Sequence, residues 1–417
     1  MTHQMKRQRL NTQPNTVVDD GTGCLDDSCP PASRLEKDGW NGFCELESEP
    51  AIFNVMLREF GVKGVKVQEV ISLDEEMMAV LNKPAYGLIF LFRWREDDPD
   101  KQEASCPEGL WFANQTASNS CASVALLNIV NNVEGIDLGE NLQHFKDFTM
   151  PFTPALRGDA ISNFDFVKRI HNSFARKMDM LSSDFQLKAE ATSKRSRSTK
   201  SKHAEDETDA GFHFIAFVPA LGKVWKFDGL ERQPQALGSC LPEDDWLNLV
   251  KPNIRTRMEE YEEDQIEFSI LSVARDPLPD LVGQLAVNVK SLETIYRHIT
   301  ASAEGPVDLG STAADSMLGT TVLGPDETYA LTRTMIDQAS IPAVQNGEYQ
   351  TCSMEELIHH RQELSHAQQN LRVLIREEQQ SQQADDDYAE GRRYDYGPAV
   401  RTWLRFLARK RVIENLL

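Results

Sequence analysis

Apolar residues in this chain recur at two spacings, and the switches between them divide it into elements. Pro50 stands near the start of Glu49 to Leu57, whose apolar positions predict a helix. Val65 to Ile71 predicts a strand, and the unbroken apolar run Gly87 to Phe92 predicts one buried on both faces. An apolar helix is expected from Ala122 to Asn132. Further apolar residues follow at Leu142 to Phe148, and at roughly helical spacing from Ile161 to Phe174. Phe212 to Pro219 and Lys223 to Phe227 flank Gly222 and predict a hairpin. Gln265 to Val273 reads as a closing strand. The mixture predicts an α/β (α+β) domain over residues 39–277.

Three stretches break the pattern. Residues 1–38 are polar and read as a disordered N-terminal segment. Residues 177–211 carry a basic run, Ser193 to Lys200, and an acidic one, Glu205 to Asp209, and read as a long mobile insertion. Residues 301–350 are rich in Ser, Ala, Gly, Thr and Pro and read as a low-complexity linker. Around that linker, Leu285 to Ile299 and Met354 to Gln383 predict helices, the second with a narrow seam of Leu357, Leu364, Leu371 and Leu374. The last stretch puts Val400, Trp403, Leu404 and Leu407 near one side of a helix. Residues 278–417 thus read as a helical extension.

Charge narrows the partners. The net charge of −21 argues against nucleic acid and suits a basic polypeptide ligand. No apolar run is long enough to span a membrane, and the N-terminus lacks the apolar core of a secretory signal. The seven cysteines form no CxxC pair, so neither a disulfide framework nor a metal site is expected, and no cofactor. Reduced thiols fit a cytoplasmic or nuclear setting.

One cysteine differs from the rest. Cys121 stands at the expected start of the apolar helix, where the positive end of the helix dipole favours a thiolate. Six positions earlier Gln115 offers a neutral donor for an oxyanion. His213 lies in the first strand of the hairpin, and Asp228 just after the second. Neighbouring strands could set these two side by side as a base and its orienting acid. Taken singly, His213 reads as a core histidine and Asp228 as a turn residue; their joint occurrence with Cys121 points to a cysteine hydrolase. Cys44, Cys106 and Cys240 read as inert packing. His171, His298, His359, His360 and His366 read as surface or packing residues.

At these residues the chain resembles the ubiquitin C-terminal hydrolase family of cysteine peptidases, over about residues 39–277. Asn114 to Ala122 resembles the family's glutamine-to-cysteine motif, Phe212 to Pro219 its histidine strand, and Phe227 to Leu230 its aspartate motif. Cys44 to Pro50 resembles the family's opening and Gly87 to Phe92 its central strand. The resemblance implies a papain-like fold with a central antiparallel sheet flanked by helices, and a crossover chain over the active site at about 174–211. It implies Cys121 as nucleophile, His213 as general base and acid, and Asp228 as the residue orienting His213. It also implies an oxyanion hole from Gln115 and the Cys121 backbone N–H.

Ile170 to Arg176, and Asp395 to Val400 followed by Trp403 to Ala408, resemble the C-terminally extended branch of the family. That branch includes proteasome-associated and chromatin-associated members. The resemblance implies a deubiquitinase acting on ubiquitin and ubiquitinated proteins in protein catabolism. It implies docking of residues 394–417 on a proteasomal ubiquitin receptor or another deubiquitinase-adaptor protein. The alternatives are a catalytically silent ubiquitin-binding scaffold, a chromatin-associated histone deubiquitinase, or a hydrolase of another ubiquitin-like modifier.

Overall fold

The computed structural model describes residues 30–94, 98–196, 211–241, 244–259, 268–302 and 321–410. Among the described residues, six strands lie in the first two thirds of the chain: β1 (Val65–Glu69), β2 (Ala85–Arg93), β3 (Phe212–Ala220), β4 (Lys223–Phe227), β5 (Gln235–Ser239) and β6 (Phe268–Arg275). They form one antiparallel sheet in the order β1-β6-β2-β3-β4-β5. Alternation on β2 sends Leu88, Phe90 and Phe92 into one core and Ile89 into the other; β3 divides Ile215 and Phe217 from Phe214, Ala216 and Val218 in the same way. Both faces are covered, and this is why the two strands read as unbroken apolar runs.

The smaller core packs against α9 (Leu247–Glu259) through Val250 and Ile254. The larger one takes in α2 (Pro50–Phe60) and α4 (Cys121–Val130). Every residue of α4 after Cys121 is buried, as expected of a helix apolar on all sides. α3 (Glu75–Ala79) adds Met78 to the smaller core, and α1 (Arg34–Gly39), α5 (Gly139–Thr149), α6 (Pro154–Ser162), α7 (Asp165–Asn172) and α8 (Lys177–Ser196) stand on the side of the larger one.

The C-terminal helices among the described residues are α10 (Pro277–Ser302), α11 (Arg333–Gln338), α12 (Ala343–Thr351), α13 (Met354–Arg393) and α14 (Gly397–Arg409). α10 and α13 share an apolar core through Leu285, Val289 and Ile375, and buried Gln368 on α13 donates to Asn288 Oδ1 at 3.1 Å. Farther along, α13 meets α2 and β1. Asn54 Nδ2 donates to Asp385 Oδ2 at 2.9 Å, and Lys66 pairs with Glu378. Residues 32–395 form one compact unit. A second unit contains α14, no residue of which is buried.

Several expectations change. The insertion read at 177–211 begins as helix α8, because its Met, Leu, Ala, Glu and Lys residues are good helix formers despite their polarity. The Asp179 carboxylate accepts the Arg176 N–H at 2.9 Å at the entry to this helix. The rest of that insertion, 197–210, lies outside the described residues. The linker read at 301–350 yields α11 and α12, which bury Ile336 and Tyr349; 303–320 lies outside the described residues. Within the segment read as disordered, Ser33 and Glu36 form a reciprocal capping box that starts α1; 1–29 is not described. The stretch 161–174 is the end of α6 and then a separate helix, α7, broken at Asn163 and Phe164. Strand β5 and helix α9 had no clear pattern: β5 is short, and Pro252 sits inside α9.

Candidate functional site

Three elements deliver the site. Cys121 is the first residue of α4, so its backbone N–H has no acceptor within the helix. Just before it, Asn119 adopts a left-handed conformation with φ 62°, tolerable for asparagine, and the chain turns sharply into the helix. Ser120 Oγ donates to Ala117 O at 2.8 Å and fixes the turn from inside.

Side chains hold the segment leading to Gln115 as strand partners would. Asn128 on α4 accepts the Ala113 N–H at 2.8 Å and donates to Ala113 O at 3.2 Å. Asn132 treats Trp111 likewise, at 2.9 and 2.6 Å. Arg157, nearly buried on α6, donates to Leu110 O at 3.0 Å and Phe112 O at 3.2 Å. The segment thereby meets its backbone hydrogen-bonding needs without joining the sheet. Gln115 Nε2 donates to Ala117 O at 3.1 Å, which leaves the second hydrogen of the amide for another acceptor.

His213 stands near the start of β3 and Asp228 directly follows β4, so both lie at one end of the hairpin. His213 Nε2 and Asp228 Oδ1 are 2.7 Å apart, with both side chains about 5 % exposed or less. The Cys121 thiol is near enough to the ring to favour its charged form. Asp228 Oδ1 also accepts the Leu230 N–H at 2.9 Å. Burial opposes charge on His213, but its bond to Asp228 and the nearby Cys121 thiol outweigh burial and raise its pKa to about 9. Burial likewise opposes charge on Asp228, and its bonds to His213 and the Leu230 N–H hold it below the usual carboxylate range.

The two halves are tied together. Gln115 N–H donates to Gly229 O at 2.8 Å, and Asn114 Nδ2 donates to Glu231 O at 2.6 Å. A Cβ at Gly229 would stand 3.0 Å from the Gln115 backbone nitrogen, so the residue after Asp228 has to be small for the strands to close on the loop. The structure therefore brings together all four residues singled out in the sequence: Gln115, Cys121, His213 and Asp228.

A cleft of about 390 Å³ opens at Cys121, between the Glu45–Glu47 segment, Phe212 and Phe214 of β3, and Asp179 and Ser183 of α8. Arg392, from the end of α13, also lines it. α8 falls within the stretch 174–211 that the resemblance assigned to a crossover chain, although its helix was not expected, and nothing local marked Arg392.

The remaining candidates are structural. Burial pushes the Cys44 thiol up to about 12, so it stays protonated, and burial also raises Cys106. His171 is fully buried. Its Nδ1 is 2.7 Å from Ser123 Oγ and its Nε2 2.8 Å from Cys44 O, bracing α4 two residues past the nucleophile position. Burial lowers its pKa to about 4, so it is neutral. His359, His360 and Glu363 come together on α13, where Glu363 is already within 3.5 Å of both rings; no other cluster of metal-ligating type occurs among the described residues. No described helix is long and apolar enough to cross a membrane.

The chain is 38% identical over 241 residues to ubiquitin carboxyl-terminal hydrolase isozyme L5 of Dictyostelium discoideum, covering 58% of this chain and 63% of that protein. It is 36% identical over 233 residues to ubiquitin carboxyl-terminal hydrolase ubh-4 of Caenorhabditis elegans, covering 55% and 66%. The alignments thus span just under two thirds of the length of these relatives. A crystal structure of Trichinella spiralis UCH37 bound to ubiquitin vinyl methyl ester is 29% identical, covers 58% of this chain and 86% of that one, and aligns with a TM-score of 0.45. Residues 43–259, just over half of the chain, match the model of ubiquitin carboxyl-terminal hydrolase, family 1, and the chain belongs to that family.

Proposed function

We propose that this chain is a thiol-dependent deubiquitinase that hydrolyses the bond after the C-terminal glycine of ubiquitin. The observation that carries the reading is the buried His213–Asp228 pair, hydrogen-bonded at 2.7 Å, beside Cys121 at the N-terminus of α4. Cys121 Sγ attacks the carbonyl carbon while its proton resides on His213. The negative charge that develops on the carbonyl oxygen meets the Cys121 N–H and the second hydrogen of Gln115 Nε2. Collapse of the tetrahedral species breaks the C–N bond, and the departing amine takes the proton from His213. Water then attacks the thioester with His213 as base, which releases a free carboxylate and restores the thiol. Asp228 keeps the imidazole oriented and stabilises its charged form.

Two further points belong to the same reading. Substrates are ubiquitin conjugates, met in the cytoplasm and nucleus. The helix α14 docks a proteasomal ubiquitin receptor or a similar adaptor.

The test is labelling by ubiquitin carrying a C-terminal electrophile. The wild-type chain is expected to form a covalent adduct at Cys121 and to turn over a ubiquitin C-terminal amide. Cys121→Ala is expected to lose both while retaining the fold and ubiquitin binding. Wild-type protein that binds ubiquitin but is not labelled would instead identify a silent scaffold.

A further inference from the structure

Arg392 is the last helical arginine but one of α13, far outside the family-matched residues 43–259, yet it reaches the Cys121 cleft. It is 7% exposed. Its Nε donates to both carboxylate oxygens of Glu47, at 2.8 and 3.0 Å. Its Nη1 donates to Phe174 O at 2.8 Å, and both terminal nitrogens reach Asp179 Oδ2 at 3.1 Å. The guanidinium thus spans the two walls of the cleft, the Glu45–Glu47 segment and the first turn of α8.

Neighbouring bonds reinforce the grip. Arg176 Nε donates to Arg392 O at 3.3 Å, and the Lys177 N–H donates to Asp395 Oδ2 at 3.1 Å. One turn beyond Asp179, Ser183 accepts a bond from Asn119 Nδ2 at 3.2 Å. Asn119 is the left-handed residue two positions before Cys121. A continuous series of contacts therefore runs from the end of α13 through α8 to the turn that presents the nucleophile. Arg392 touches none of Gln115, Cys121, His213 or Asp228 in the contacts described.

From this we infer that Arg392 is a positioning residue that latches α8 over the cleft and so sets how tightly the substrate's peptide tail is held. The planar fork suits this task, because one guanidinium satisfies two carboxylates and a carbonyl in fixed directions, which an ammonium does not. The inference rests on the deubiquitinase reading only for its kinetic consequence. The placement of α8 by Arg392 stands without it.

The test uses the full chain, with hydrogen exchange of the α8 amides over 180–188 and steady-state hydrolysis of a ubiquitin C-terminal fluorogenic amide. Arg392→Gln is expected to speed α8 exchange and raise KM about tenfold, with kcat within about twofold, because the reacting groups sit on α4 and the hairpin. Arg392→Lys should recover part of the loss. Asp179→Asn, which leaves Arg392 paired with Glu47, should reproduce the KM rise should Arg392→Gln prove too unstable to assay. Lys66→Gln removes another ion pair between α13 and the sheet, with Glu378, and should leave KM and α8 exchange unchanged.

Unchanged α8 exchange in Arg392→Gln and Asp179→Asn would overturn the latch. So would a KM rise of equal size in Lys66→Gln, or a loss confined to kcat. Wild-type protein that is not labelled by the ubiquitin electrophile overturns the deubiquitinase reading instead, and leaves the exchange measurement to decide the latch.

Discussion

A histidine raised to about 9 by a buried aspartate and a thiol sets the pH range in which the pair stays charged. The sign follows from the folded state, which keeps the proton on His213 up to about 9, so catalysis that needs the imidazolium fails above it. Asp228→Asn leaves burial to dominate. The alkaline limb of kcat/KM is expected to move to lower pH, with a loss at neutral pH of about a hundred- to ten-thousandfold; a pH–rate profile of the two proteins checks both. His171 has the opposite sign. The unfolded chain binds its proton near 6.5 and the folded chain only near 4, so stability linked to this residue falls as pH drops across that window. The full effect is on the order of 3 kcal/mol. Denaturant melts should show the gap between wild type and His171→Gln narrowing from pH 6.5 towards 4. The sequence had already pointed to Cys121, His213 and Asp228, because a helix start and a hairpin are local patterns that place side chains predictably. It did not point to the burial of His171 or to Arg392, because each depends on a partner more than a hundred positions away.

Among the elements, α4 and the hairpin were legible from their apolar runs, and α8 was not, because its polar face disguised a sequence of good helix formers. α6 shows how tightly the loop before Cys121 is packed. A Cβ at Gly158 would stand 2.2 Å from Asn114 O, and the obstacle is backbone rather than a movable side chain. Gly158→Ala is therefore expected to push Asn114, and with it the neighbouring Gln115, away from the Gly229 strand end. Overpacking of this kind costs about 1–3 kcal/mol. A lowered melting temperature together with a reduced rate of labelling by the ubiquitin electrophile is the expected result. A variant as stable and as quickly labelled as wild type would show that the loop yields without consequence for Gln115.

For the molecule as a whole, the family match ends near α9, but the compact unit does not: α10 to α13 continue it to Asp395. In α14, by contrast, Trp403 is 61% exposed and Val400 and Leu404 nearly half exposed. Such an aromatic anchor among aliphatic residues suits a protein partner. Trp403→Asp is expected to abolish copurification of a proteasomal ubiquitin receptor while leaving the melting temperature within about one degree of wild type, as surface changes usually do. A large drop in melting temperature with the receptor still bound would argue for a structural role. The order of the sheet has a consequence for how the chain is made. Among the described strands β1 lies at the edge and pairs only with β6, and β6 also separates it from β2. During synthesis β1 and β2 emerge early, and the strand that must lie between them is translated last of the six. Until then a nascent chain holds β1 unpaired beside an open slot, while the segment bearing Cys121 is already outside the ribosome. Such long-range closure is slow and leaves strand edges exposed, so β1 is the segment that chaperones have most reason to shield during translation.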